Sequence, residues 1–251
     1  MYFHKPPLSR NAIAMRQEFA VPILMYHQVA RPAEYASPYR YLTVAPENFA
    51  RQMKWLKRLG FQGLSVGELA PYFSGCKVGK VVGITFDDGF RNVYEHALPA
   101  LQAVGFTATN YFVSRQVGGH NAWDESIGIP YSPCMNETEI REWASLGHEV
   151  GAHTVDHVRL TQVDRTTARQ QISASRKRLE DIVGRAVTSF SYPYGDVSWE
   201  TRELVHEAGF ATATTTKRGR VRRNDDPLLL PRRIIRTADG WISLLRKCMT
   251  G

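Results

Sequence analysis

Short apolar runs that stop abruptly and hand over to helix-periodic segments recur along this sequence, and that alternation restricts the fold more than any other feature. The runs cover residues 21–27, 81–86, 107–113, 149–152, 188–192, 211–215 and 228–235. Between them, a helix is predicted from Pro46 through Met53, Leu56 and Leu59 to a stop at Gly60, its proline suited to a first helical turn. Further helices are expected over 66–73, up to a stop near Gly105, and over 137–146, 162–183 and 199–208, with a long loop over 114–136. Strand then helix, repeated, implies an α/β fold with parallel strands. At 251 residues and 43% hydrophobic the chain can bury one sizeable core, and that length is typical of a (β/α) barrel. The 13 prolines and 19 glycines are scattered as punctuation rather than gathered into a linker, so residues 1–251 are expected to form a single domain.

Several runs end in residues that carry chemistry. Asp87-Asp88-Gly89 follows 81–86 and puts a carboxylate pair at a strand's carboxyl end. His153-Thr154-Val155-Asp156-His157 offers two imidazoles four residues apart, on one face if this turn is helical. One carboxylate and two histidines can hold a divalent metal and leave a position open, the arrangement of a hydrolytic rather than a structural site. The second aspartate is then free for proton transfer. Each motif also has an ordinary reading: Asp and Gly favour turns, and histidines cap helices or sit in cores. Together they are more specific, and a third element joins them, the run 188–192 ending in Pro193-Tyr194-Gly195. Parallel strands in a barrel send their carboxyl ends to one face, so Asp87, Asp88, His153, Tyr194 and His27 are expected to converge there.

In this order, TFDDG (85–89), HTVDH (153–157) and FSYPYG (190–195) resemble the polysaccharide deacetylases of the NodB-homology, carbohydrate esterase 4 type, over residues 21 to about 236. The resemblance implies a distorted (β/α) barrel of about seven parallel strands. It implies a metal-dependent hydrolase that removes N-acetyl groups from amino sugars of a polysaccharide or lipid-linked glycan. It makes Asp87 the catalytic base and Asp88, His153 and His157 the ligands of a divalent metal, with zinc first and cobalt or nickel as substitutes. The Pro193-Tyr194 segment would shape the substrate groove together with Tyr192, and the Tyr194 backbone N–H would help to hold the oxyanion.

Two departures from the family pattern matter. Ser191 stands where the commonest third motif has an arginine that orients the catalytic aspartate; Arg232 and Arg233 are the candidates to replace it, or else a solvated basic edge. The family's last motif, a strand ending in histidine near the C-terminus, is missing, because no histidine follows His206. A strand ending in His27 lies near the N-terminus instead, which is similar to the circularly permuted branch acting on exopolysaccharides. His27 is therefore the expected general acid, since imidazole exchanges a proton near neutral pH.

Other signals are weaker. The loop 118–124 carries Asn121, Trp123 and Asp124, groups suited to a sugar, although a packed loop would look the same. His148 is read as structural, His4, His96 and His206 have no evident partners, and Trp241 is read as a helix start. Three cysteines without metal-ligand spacing suggest a reducing compartment. With no apolar stretch long enough for a leader or membrane span, the chain is expected to be cytoplasmic as written, although members of the family are often exported and an upstream leader is not excluded. A net charge of +8 and an isoelectric point near 9.5, concentrated at residues 217–223, favour anionic partners such as a pyrophosphate-linked sugar lipid or a membrane surface. No nucleic acid is expected, because no recognised binding motif accompanies the charge. The alternative functions are a catalytically impaired carbohydrate-binding protein of the same fold and a basic nucleic-acid-binding protein.

Overall fold

The computed structural model describes residues 20–33 and 37–250; His4 lies outside them. Eight strands carry the architecture: β1 (Ile23–Tyr26), β2 (Gln62–Leu64), β3 (Val81–Phe86), β4 (Thr109–Phe112), β5 (Glu149–Ala152), β6 (Ser189–Ser191), β7 (Thr212–Arg218) and β8 (Leu230–Ile234). They run in the sheet order β1-β8-β7-β6-β5-β4-β3-β2, and an added β1–β3 pairing closes seven of them into a parallel ring. The ring is distorted at β3. That strand gives Val81, Val82 and Gly83 to β2 but Thr85 and Phe86 to β4, while Gly83 to Phe86 pair with Ile23 to Tyr26 of β1. Two-residue strands pair outside the ring, Ala20–Val21 with Val221–Arg222 and Gln28–Val29 with Thr43–Val44.

Among the described residues there are seven α-helices, six between consecutive strands and the last after β8: α1 (Pro46–Arg58), α2 (Val66–Phe73), α3 (Leu98–Gln102), α4 (Glu137–Ser145), α5 (Arg165–Val183), α6 (Trp199–Glu207) and α7 (Trp241–Met249). Their starts follow from local chemistry. Ser65 and Glu68 form a reciprocal capping box at α2, Asn136 and Glu139 do the same at α4, and Asp164 caps α5. In α1 the residues Phe49, Gln52, Met53 and Leu56 are buried, the stripe expected of a helix laid on a sheet. The helix before Gly105 opens as a wider π-turn over Val93–Ala97, because Pro99 supplies no N–H to an ordinary turn.

All six residues of β3 are buried, as expected for a strand covered on both faces. The main core lies between the ring and its helices, where the Tyr26 ring packs edge-on against Phe49 with centroids 5.1 Å apart and Phe86 meets Trp143 at 6.2 Å. Buried Tyr111 of β4 lies over Gly151 of β5, with its ring 5.8 Å from the Arg232 guanidinium. Only glycine fits beneath it, because a Cβ at residue 151 would sit 2.4 Å from the Tyr111 ring.

β7 runs three residues past the predicted end at Thr215 and takes Thr216, Lys217 and Arg218 into a strand. Its register with β8 shifts between Thr214↔Leu230 and Arg218↔Arg232, four steps on one strand against two on the other. This bulge frees carbonyls from the ladder. Among the described residues no helix is long and apolar enough to cross a membrane.

Candidate active site

The carboxyl ends of the strands deliver the candidate residues to one end of the ring, beside a cavity of about 960 Å³ whose lining includes His27, Asp87, Asp88, His153 and His157. β3 ends at Phe86, and Asp88 and Gly89 then turn the chain with φ of 78° and 72°. Asp tolerates this left-handed conformation better than most side chains, and Gly89 has no alternative, since a Cβ there would sit 2.6 Å from Phe112. Left-handed non-glycine residues are few among the described residues: Tyr39, Asp88, Thr154, His157 and Tyr194. Asp88, His157 and Tyr194 belong to the candidate site, and Thr154 lies between the two histidines. Strain of this kind, of order 1–3 kcal/mol per residue, persists where surrounding structure enforces it.

The histidine pair meets without the helical turn that would make its spacing a shared face. The segment 153–157 is not helical. His153 directly follows β5, and the chain then loops through Thr154 (φ 65°) to His157 (φ 58°), pinned by a hydrogen bond from the His157 N–H to Thr154 Oγ1. The two rings meet all the same, with centroids 4.9 Å apart. Both Nε2 atoms face Asp88 Oδ1, at 3.5 Å for His153 and 3.3 Å for His157. The far nitrogens are occupied: His153 Nδ1 lies 2.7 Å from the Ser191 carbonyl and His157 Nδ1 lies 3.1 Å from the Tyr194 hydroxyl. A carbonyl can only accept, so His153 donates from Nδ1, and Nε2 is the nitrogen that faces Asp88. Burial lowers the His157 pKa despite the pull of Asp88, which favours the neutral ring. The three donor atoms all lie within 4.8 Å of one another and are buried. One carboxylate and two imidazoles oriented through their far nitrogens form a donor set that fits a divalent ion.

Asp87 is held quite differently. Arg232, from β8, forms a fork to both carboxylate oxygens at 2.7 Å each. The guanidinium also donates to Thr85 Oγ1, Ser191 Oγ and the Thr215 carbonyl that the β7 bulge exposes. Only 1% of Arg232 is exposed, which removes the reading as a solvated edge. Burial alone would raise the Asp87 pKa, but the guanidinium overrides it and holds the carboxyl below its ordinary range. Arg233 does not share this task. Adjacent residues of a strand face opposite ways, and the Arg233 guanidinium donates to the Thr250 carbonyl instead. Ser191 thus touches the arginine that, in this chain, comes from another strand.

His27, between β1 and Gln28–Val29, lines the same cavity, and its Nδ1 is buried without a hydrogen-bond partner. Tyr194 lies in a tight turn between Pro193 and Gly195 with φ of 60°, its ring 4.6 Å from that of His157 and 4.0 Å beneath the Arg159 guanidinium. Burial and the charges of Asp124 and Asp88 push its hydroxyl up to about 12. Arg159 was not a sequence candidate; no spacing rule links it to Tyr194, 35 residues on.

The proposed sugar-contacting residues divide. Trp123 and Asp124 line the cavity, with the Trp123 ring 4.9 Å from His157. Burial, then the charge of Asp88, pushes the Asp124 carboxyl up to about 6. Asn121 faces its own loop, bonding the Pro130 carbonyl and the Ser132 N–H, so the packed-loop reading applies to it. Tyr192 is fully buried and donates to the Leu228 carbonyl, and buried Pro193 is likewise not among the cavity-lining residues. Of the thiols, Cys134 and Cys248 are buried and Cys76 is exposed, all free.

Comparison with known proteins agrees with this geometry. The sequence profile described as polysaccharide deacetylase matches residues 74–213, more than half of the chain. YxkH of Bacillus subtilis, which bears a provisional polysaccharide deacetylase name, is 28% identical over 222 residues, covering 88% of this chain and 72% of the relative. The poly-β-1,6-N-acetyl-D-glucosamine N-deacetylase of Staphylococcus aureus is 25% identical over 244 residues, covering 89% of this chain and 81% of that protein. The structure of IcaB from Ammonifex degensii superposes with a TM-score of 0.79 at 25% identity, covering 93% of this chain and 99% of that one. With its closed parallel ring and its three motifs at one end of that ring, this chain belongs to the polysaccharide deacetylase family.

Proposed function

We propose that residues 1–251 form one deacetylase domain that hydrolyses the N-acetyl amide of an amino sugar in a glycan. The observation that carries the reading is the pairing of two differently held carboxylates at the cavity: Asp88 beside His153 and His157, and Asp87 clamped by Arg232. A divalent metal, zinc by the preference of this donor set, would be held by Asp88, His153 and His157 and would polarise the amide carbonyl and acidify water.

The chain's own groups account for the rest. Asp87 is ionised at neutral pH because of Arg232, and an ionised carboxylate keeps lone pairs beyond the two that the guanidinium occupies. It takes a proton from the attacking water. The Tyr194 N–H would donate to the developing oxyanion, a type of donor worth about 2.7–4 kcal/mol in acyl transfer. His27 gives a proton to the departing amine. Trp123 offers a ring face for a sugar, and Asp124, a weak acid here, offers a hydrogen bond to its hydroxyls.

The relative from Staphylococcus aureus carries poly-β-1,6-N-acetyl-D-glucosamine in its name, which makes that polymer the first substrate to try. Purified protein incubated with N-acetylglucosamine oligomers should release acetate and free amine, lose this activity to a chelator and regain it with zinc. A metal-replete preparation that leaves every N-acetylated glycan intact would favour the carbohydrate-binding reading.

A further inference from the structure

Another part of the cavity lining is cationic, and the described residues neutralise only some of its charge. There the lining includes Arg31, Arg218, Arg233, Arg236 and Lys247, with Asp239 as the local carboxylate. Asp239 is fully engaged: it accepts from the Lys247 ammonium, the Ser243 hydroxyl and, at 2.7 Å, the Arg236 backbone N–H. Among the described residues no carboxylate pairs with the side chain of Arg31, Arg218, Arg233 or Arg236. Arg233 is the most telling. It is 3% exposed, its Nε is buried without a partner, and one Nη reaches only the Thr250 carbonyl. Burial first, and then the charges of Arg218 and Arg220, hold its pKa below the usual arginine value. A buried guanidinium with an orphan donor and like charges beside it is costly unless an anion completes it.

We infer that this cationic part of the cavity, to which the carboxyl ends of β7 and β8, α7 and the loop carrying Arg31 contribute, is an anion subsite that takes the phosphoryl group of a phosphorylated amino-sugar substrate. The inference rests on the deacetylase reading of the same cavity. A phosphoryl group suits it better than a carboxylate, because it brings up to two charges and three acceptor oxygens to several unpaired cations. Planar guanidinium forks match such oxygens in pairs. The position also has a consequence for chemistry: Arg218 is the cross-strand partner of Arg232, so an anchored phosphoryl would set the sugar's register relative to Asp87.

The test compares kcat/KM for a neutral methyl glycoside of N-acetylglucosamine, its 1-phosphate, and a short-chain isoprenyl diphosphate conjugate. The phosphorylated substrates should be favoured at least about tenfold, and the preference should collapse toward one in the Arg218→Ala/Arg236→Ala double variant, whose changed side chains are exposed. A higher value for the conjugate than for the 1-phosphate marks a lipid-linked source, and the reverse marks a soluble one. Equal rates on neutral and phosphorylated substrates, or a preference that survives the double substitution, would overturn the subsite. Calorimetry with glucosamine 1-phosphate decides the matter without turnover. Binding to the wild type that persists after chelation and is lost in the double variant supports the subsite. No binding, binding retained in the variant, or binding that disappears with the metal contradicts it. An absence of all turnover alongside intact binding would instead remove the deacetylase reading.

Discussion

The two ends of the barrel hold the same kinds of side chain in opposite states. At the amino end, His148 accepts the Ala108 N–H on Nδ1 and stacks on Trp143 with centroids 4.2 Å apart. Its neighbour Glu149 is bonded by the Thr109 and Ser189 hydroxyls and the Gly67 N–H. At the carboxyl end, the Nε2 atoms of His153 and His157 face only a carboxylate oxygen, His27 Nδ1 has no partner, and the backbone turns left-handed at three site residues. Buried histidines and carboxylates alone therefore do not mark a site. Spare valence held in place by strained backbone does, and the amino end, which lacks it, is built for stability.

That contrast is open to attack by substitution. The largest effect is expected at Arg232. Replacing it with Met leaves Asp87 buried without its counterion, so stability should fall by about 3–5 kcal/mol. In the fraction that stays folded, burial acting alone would raise the Asp87 pKa, so the acid limb of the kcat/KM profile should move to higher pH. An unchanged acid limb would mean that Asp87 is not the base. The native ion pair carries its own pH signature: with the folded Asp87 pKa depressed, its stabilisation is present above the unfolded carboxylate pKa and is lost as pH falls through the folded value.

Next comes His27. His27→Gln should lower amide turnover about 10²–10⁴-fold while leaving metal content intact. On an activated acetate ester the loss should shrink, because a good leaving group departs without a positioned acid. Equal losses on both substrates would rule out proton delivery.

The smallest effect belongs to the amino end. Burial pushes the His148 pKa down to about 4 from an ordinary 6.5. The unfolded chain then takes up the proton first as pH falls, so stability should be full above about 6.5 and decline toward 4. His148→Asn should flatten that slope and cost about 1–3 kcal/mol through the weakened Ala108 bond, with metal content and turnover unchanged. Lost turnover in a folded His148→Asn protein would break the division between the two ends.

Much of this was legible from sequence because it is local. The bounds expected for the second helix, 66–73, and for the strand 149–152 coincide with those observed, since a capping serine and a terminal glycine act within a few residues. The Asp-Asp pair and the histidine pair stood out by spacing. The contacts that complete the site were not legible, because they bridge strands far apart in the chain. Arg232 reaches Asp87 across 145 residues, and nothing in Leu230-Pro231-Arg232-Arg233 says which arginine turns inward; the β7 bulge and the ring closure decide it. The spacing of the histidine pair would bring the rings together on a helical turn; here two left-handed residues achieve the same meeting by a loop, which spacing does not reveal. Asn121 and Tyr192 look like sugar ligands in sequence, yet their polar atoms are spent on neighbouring backbone.

The central claim is that adjacent aspartates have separate tasks, one for a metal and one for a proton. Metal content and deacetylation measured side by side in Asp87→Asn and Asp88→Asn test it most directly. Asp87→Asn should retain nearly full metal and lose turnover, whereas Asp88→Asn should lose both; equal metal loss in the two variants would contradict the division.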